Sequence, residues 1–345
     1  MNKLVSSVPT TVFCGIDVSA RSLAVALIVP EEPLARLEFS NSPSGHRELI
    51  VWLGKRKGAR VRVSMEATGV YSLDLALALD AEAGMELAVL NPKLVNRFAQ
   101  TLRRSKTDAA DAVVLAEYSQ RMPFTPWQRP GLNALRLRAM ARHLESLVVE
   151  QAGVKSRLSV ARSSAATPRA VIADLQRAQA GLVRRLTRMR REAMKLVDAE
   201  TALADRFELL VSIPGIAAVS ALQILSELVV LAPQMTVRQW VAYCGLDPVH
   251  RVSGTSLRKP SRISRAGNRH LRRALFMPTL SAVRFDPHIR AFYKALRERH
   301  KTGLQALLAV ARKLVHAIYG IFKTGKPYDG RLLFPHVQTL ESVAG

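Results

Sequence analysis

The stretch TVFCGIDVSARSLAVALIV, residues 11–29, decides the fold of the first part of the chain. Two runs rich in Val, Ile and Leu flank the polar segment Ser19–Ser22, a pattern that predicts strand, tight turn and strand, with Asp17 near the end of the first strand. The chain then alternates. GHRELIVWLGKR (45–56) predicts an amphipathic helix, VRVSME (61–66) a strand ending on Glu66, VYSLDLALALDAEAG (70–84) a helix stopped by Gly84, and MELAVLNP (85–92) a strand stopped by Pro92. An opening hairpin followed by this alternation is an α/β domain. Ligands of α/β sheets collect where loops leave the strand ends, so Asp17 and Glu66 form a candidate carboxylate pair.

LVNRFAQTLRRSKTDAADAVVLAEYSQRM (94–122) reads as helix with a break around Ser105–Thr107. Beyond the break, Asp108 and Asp111 stand three positions apart and project from one helix face. Two readings fit the pair: a capped helix start with Asp111 in the first turn, or half of a metal site. Asp17 and Glu66 have ordinary readings too, as a turn acceptor and a first-turn acid. What joins the four is their order, with an acid on the opening strand, an acid after a later strand and an acid pair on a following helix. That is the arrangement a ribonuclease-H-like nuclease core requires. Gathering four carboxylates without a cation costs mutual repulsion, and Mg2+ prefers such hard oxygen ligands. Two metal ions about 3.5–4 Å apart activate one oxygen and stabilise another at phosphorus.

Residues 132–158 again favour helix, SSAATPRA (163–170) interrupts, and a second long helix follows in which Leu175, Leu182, Met189 and Leu196 recur every seven residues beside Ile172 and Leu186. A helical hairpin within the chain and a coiled coil between subunits both satisfy this seam. LLVSIPGIAAVSALQILSEL (209–228) predicts helix, Pro-Gly turn and helix, a geometry able to aim backbone N–H groups at phosphate, although Ala217 stands where a second glycine would favour it. A short helix (237–243), the turn CGLDP and the long polar loop VHRVSGTSLRKPSRISRAGN (249–268) then lead to a helix beginning at Arg269. A loop of that length raises the expectation of function.

The 345 residues carry a formal net charge of +24, far more than solubility requires, which points to a polyanion. Residues 1–100 hold 11 Lys/Arg against 10 Asp/Glu, whereas residues 251–301 hold 14 against 2. The basic footprint therefore lies in the polar loop and beyond, and its candidate nucleic-acid contacts are Arg251, Arg258, Lys259, Arg262, Arg265, Asn268, Arg269, Arg272 and Arg273. Within the loop, Ser253 precedes Gly254, where the backbone can approach a ligand closely, and a hydroxyl beside arginines can attack phosphorus. Ser256, Ser261 and Ser264 compete for that role, and spacing does not choose among them. Cys14 and Cys244 form no CxxC pair, which argues against a disulfide scaffold or zinc knuckle, and His250, His270 and His288 are too scattered for a histidine metal site. The apolar runs at 11–18 and 23–30 are each too short to span a bilayer, so no membrane partner is expected.

Five motifs occur in order: GIDVS with Asp17, MEATGVY with Glu66, RRSKTDAADA with Asp108 and Asp111, IPGI at 213–216, and CGLDP followed by Ser253-Gly254 and ISRAGNRHLR. On these the sequence resembles DEDD-type insertion-element transposases, the bridge-RNA-guided serine recombinases, over nearly its whole length. The resemblance implies an RNase-H/RuvC-like domain at 8–125 holding Mg2+ through Asp17, Glu66, Asp108 and Asp111, a helical, coiled-coil-like spacer at 126–204, and a mainly α-helical, serine-bearing transposase domain at 205–330. It implies that Ser253 is the nucleophile, forming a phosphoserine link to DNA in a site composed of carboxylates from one subunit and serine from another. It also implies donor and target DNA selected by a structured guide RNA, a homodimer assembling into a tetramer, and a cytoplasmic, nucleoid-associated location. The IPGIA turn and Thr255-Ser256 depart from the more glycine-rich family pattern. Two other readings carry the same residues: a junction or flap endonuclease using metal-activated water, and an architectural nucleic-acid binder whose acids are caps.

Overall fold

The computed structural model describes residues 10–56, 59–67, 69, 71–102, 108–253, 257–264 and 266–334. The chain divides into two compact units between Arg129 and Pro130.

The first unit runs β1 (Thr11–Val18), β2 (Ser22–Ile28), β3 (Ala35–Ser40), α1 (Pro43–Gly54), β4 (Arg60–Glu66), α2 (Leu73–Asp80), β5 (Met85–Leu90), α3 (Pro92–Leu102) and α4 (Asp108–Arg121). Its five strands form one sheet in the order β3-β2-β1-β4-β5, antiparallel across the first three and parallel from β1 to β5. This mixed sheet is consistent with the RNase-H-like domain expected, and the opening hairpin turns at Ser19–Ser22, where Ser22 N donates to Ser19 Oγ at 2.9 Å. The sequence pattern left β3 undetected. Its residues Arg36, Leu37 and Glu38 are exposed on the sheet edge, so no alternating apolar face marks it.

One sheet face buries Cys14, Ile16, Leu23, Val25, Leu27, Val63, Met65 and Leu87 with Leu49 and Leu53 of α1 and Leu75 and Leu79 of α2. The opposite face takes α4, whose Ala112, Val113 and Ala116 pack on Ala26 of β2. That contact is close because Gly15 has no side chain. A Cβ there would meet Ala112 O at 2.0 Å and Ala116 N at 2.3 Å, both immovable backbone atoms.

The second unit contains α5 (Leu132–Ser163), α6 (Arg169–Asp198), α7 (Thr201–Val211), α8 (Ala218–Leu228), α9 (Val237–Tyr243), β6 (Pro248–Ser253), β7 (Leu257–Ile263), α10 (Arg269–Ala274), α11 (Phe276–Phe285), α12 (Pro287–Glu298), α13 (Gly303–Thr324) and α14 (Gly330–Leu333). The long helices α5 and α6 pack on each other as a hairpin, with Leu144, Leu147 and Val154 joining Leu182, Leu186 and Ala193 in the unit's core. The heptad positions Leu175, Met189 and Leu196 pack against the same core, so the seam of α6 is taken up within the chain. Among the described residues α13 alone has the length and apolarity of a membrane span, and its Val310, Leu314, Val315 and Ile318 are buried in this core. At the IPGI turn, Gly215 has φ +97°, and its Cα lies so near α11 that a Cβ would meet Ala282 N at 2.5 Å. The glycine there serves helix packing.

Replacing Gly15 with Ala forces α4 off β1. An overpacking cost of about 1–3 kcal/mol is expected, read as a lowered thermal midpoint of the full chain.

Candidate active site

The parallel register sets Gly15 of β1 beside Ser64 of β4 and Ile16 beside Met65. Asp17 and Glu66 are the next residues on each strand, so both carboxylates arrive at the same end of neighbouring strands. Side chains two apart share a face, which places Asp17 with Gly15 and Glu66 with Ser64 on the side covered by α4. Asp17 and Glu66 are both half-buried. Asp111, also half-buried, lies in the first turns of α4, one turn before Leu115, whose backbone is among the atoms pressed on Gly15. Asp108 opens α4, and its side chain lies outside the described residues. Among the described residues no three Asp, Glu, His or Cys side chains stand close enough to hold a metal ion. The fold therefore brings Asp17, Glu66 and Asp111 to one face without closing a cage.

In the second unit, the segment expected to be a polar loop is largely an antiparallel hairpin. Arg251 pairs with Lys259, Val252 with Arg258 and Ser253 with Leu257, with an irregularity between Val249 and Arg251. Its charged and hydroxyl-rich strands lack the apolar alternation by which strands are recognised. Ser253 is the last residue of β6. Gly254, Thr255, Ser256 and Arg265 lie outside the described residues, as do the side chains of Arg251, Ser253, Arg258, Lys259 and Ser261. Ser264, one of the competing serines, donates to Asp247 Oδ1 at 2.6 Å and thereby ties the base of the hairpin to the turn before it.

The nucleic-acid candidates C-terminal to the hairpin divide by environment. Arg262 and Arg269 are exposed. Arg273 is half exposed and donates to Glu145 Oε1 at 3.2 Å. Arg272 turns inward, its Nη1 donating to Cys244 O at 2.9 Å. Asn268 is an anchor. Its Oδ1 accepts from His270 N and Leu271 N, capping α10, while its Nδ2 donates to Glu227 Oε2 at 2.6 Å and Tyr243 Oη at 2.9 Å. Gly267 permits this, since a Cβ there would meet Tyr243 O at 2.3 Å.

Glu227, 2% exposed, is the residue that sequence reasoning missed. Arg142 grips it in bidentate fashion, Nε to Oε1 at 2.7 Å and Nη2 to Oε2 at 2.9 Å. Burial pushes the Glu227 carboxyl up, but hydrogen bonds from Arg142 and Asn268 outweigh it and hold the group below the usual carboxylate range. The same bond raises the Arg142 pKa, whereas burial and then repulsion from Arg142 lower that of Arg138. Beside this network His270 Nδ1 meets Glu145 Oε2 at 2.5 Å. A lone acid on the apolar face of ILSEL was the signal available in the sequence. Burial also raises both thiols, Cys244 to about 12, so neither is a reactive thiolate.

Residues 14–161 match a transposase family model of the DEDD type, and residues 207–294 match one described as Transposase IS116/IS110/IS902 family. The chain belongs to the IS110 family of transposases. It is 27% identical over 328 residues to the pilin gene-inverting protein of Moraxella bovis, covering 93% of this chain and 98% of that one. An uncharacterized 44.8 kDa protein of insertion element IS116 from Streptomyces clavuligerus is 23% identical, with 94% and 96% covered. The uncharacterized 43.6 kDa protein of insertion element IS110 from Streptomyces coelicolor is 32% identical over 123 residues, 36% of this chain and 30% of that one. This transposase is an enzyme acting on DNA.

A carboxylate whose pKa is depressed on folding stabilises the fold above its unfolded value, about 4.3, and that contribution is lost as pH falls through the folded value. Glu227→Gln is accordingly expected to cost about 2 kcal/mol at pH 7, through unpaired Arg142, and progressively less below pH 4. Urea unfolding at the two pH values measures the difference, and an unchanged cost at low pH would remove Glu227 as the ionised centre of the network.

Proposed function

We propose that this transposase cleaves and exchanges DNA strands through a phosphoserine intermediate formed by Ser253. The observation that carries the reading is the position of Ser253 at the end of β6, on a hairpin studded with Arg and Lys, in a chain of the IS110 family. The Ser253 hydroxyl gives up its proton as its oxygen bonds to phosphorus, and the bond from phosphorus to a deoxyribose oxygen breaks, leaving a protonated sugar hydroxyl. A sugar hydroxyl from the partner duplex later attacks the phosphoserine and releases the serine. Arg262 and Arg269, together with Arg251, Arg258, Lys259 and Arg265, hold the phosphates in line, while Asn268 keeps α10 and its arginines in register.

Asp17, Glu66, Asp108 and Asp111 are the residues that would hold Mg2+, an all-carboxylate donor set suited to that ion, and Asp17, Glu66 and Asp111 share one face of the first unit. When bound there, Mg2+ supplies charge stabilisation at the phosphoryl oxygens. The serine of one subunit works with carboxylates of another, in a homodimer that assembles into a tetramer on donor and target DNA. A structured guide RNA selects sequence by pairing, leaving the protein to grip backbone. The nucleoid is the site of action. The relative named for inverting a pilin gene favours strand exchange over simple cutting.

Denaturing gels of the protein with radiolabelled cognate DNA, guide RNA and Mg2+ test the mechanism. Wild-type protein is expected to carry label through boiling in detergent, and Ser253→Ala to carry none. Asp17→Asn and Glu66→Gln should each slow adduct formation about a hundredfold or more. Cleavage that persists in Ser253→Ala with no adduct in either protein would replace this reading with a water-using endonuclease.

A further inference from the structure

The helix α6 carries a second basic surface that neither the carboxylates nor the serine hairpin uses. It holds eight Lys/Arg against three Asp/Glu. Five of the cations, Arg177, Arg184, Arg188, Arg191 and Lys195, are spaced by seven, four, three and four residues, and all five are exposed. At about 100° per residue they fall within about 60° of one another, on the side directly opposite Leu182, Leu186 and Ala193, which face the core. With a rise of about 1.5 Å per residue, the row extends for about 27 Å.

Arg177 pairs with Asp174 at 3.6 Å and Lys195 with Glu192 at 3.0 Å, both pairs well exposed and therefore weak. Among the described residues Arg184, Arg188 and Arg191 have no carboxylate partner. Exposed Ala170 and Ala173 continue the same face toward the N-terminus and exposed Ala180 lies within the row, so small side chains sit among the cations. The face has no aromatic residue on which an unpaired base could stack and no apolar anchor for a protein partner. What it offers is a line of long-armed point charges suited to successive phosphates.

We propose that this face of α6 binds the backbone of double-stranded DNA without regard to sequence, as a grip separate from the serine hairpin. The inference rests on the DNA-acting class of the chain and does not require Ser253 to be the nucleophile. A duplex lying along the row releases about 0.9 counterion for each phosphate neutralised, so the row adds a fixed increment to the salt dependence of binding.

The test is fluorescence anisotropy of the full-length protein with a 30-base-pair duplex of arbitrary sequence, titrated across salt concentrations in the absence of Mg2+. The variant R184Q/R188Q/R191Q is expected to reduce the magnitude of the log K against log salt slope by about 2.7 and to weaken binding at least tenfold, equally for unrelated sequences. The lysine triple R184K/R188K/R191K retains charge and should retain the slope, which separates loss of phosphate contact from loss of fold. A slope unchanged in the glutamine variant would overturn the proposal. Weakening confined to a structured RNA, with duplex DNA bound as before, would also overturn it. Because this readout is binding and that of the phosphoserine mechanism is a covalent adduct, either can fail without the other.

Discussion

The contact on which the first unit depends is the seating of α4 directly on β1 at Gly15. The backbone of Ala112 and Ala116 occupies the space that any side chain at position 15 would fill. Two consequences follow from one missing Cβ. The helix reaches the small residue Ala26 on the next strand, closing that side of the sheet. It also brings its first turns, with Asp111, to the face from which Asp17 and Glu66 project. The shared placement of these acids, drawn from three distant segments, thus rests on a steric constraint two residues from Asp17.

The second unit solves a different problem, that of holding a strongly basic segment in one conformation. Arginines that are buried near one another are costly, and burial followed by repulsion from Arg142 lowers the Arg138 pKa. A single buried carboxylate, Glu227, offsets both and passes the constraint through Asn268 to the start of α10. The cap at Asn268 is therefore joined to the core by a charged hydrogen bond, which makes the orientation of Arg269, Arg272 and Arg273 a property of the core. Ser264 on Asp247 plays the corresponding part at the base of the hairpin. The Asn268 side chain, a nucleic-acid candidate by sequence, is occupied within the protein.

Much of this was legible along the chain because it depends on local pattern. The β-branched runs around Ser19–Ser22 announce the hairpin, and the heptad of Leu175, Leu182, Met189 and Leu196 announces a long packed helix. The polar edge strand at Ala35–Ser40 and the charged hairpin at Pro248–Ile263 were not legible, since both are held by backbone pairing that leaves little apolar signature. Glu227 was equally hidden, because a lone acid in an apolar helix does not name its partner 85 residues earlier.

By itself the sequence determined the α/β character of the first part, the helical character of the second, the strongly basic charge and the order of the candidate acids. These follow from periodicity, composition and motif order, which act over short distances or need no distance at all. Only the tertiary structure decided that Asp17, Glu66 and Asp111 share a face, that Gly15 and Gly215 serve close helix approach, that the heptad of α6 is satisfied within its own chain, and that five cations line the opposite side of that helix. Those outcomes turn on which surfaces are buried together, and burial is a property of the folded chain that no local stretch encodes.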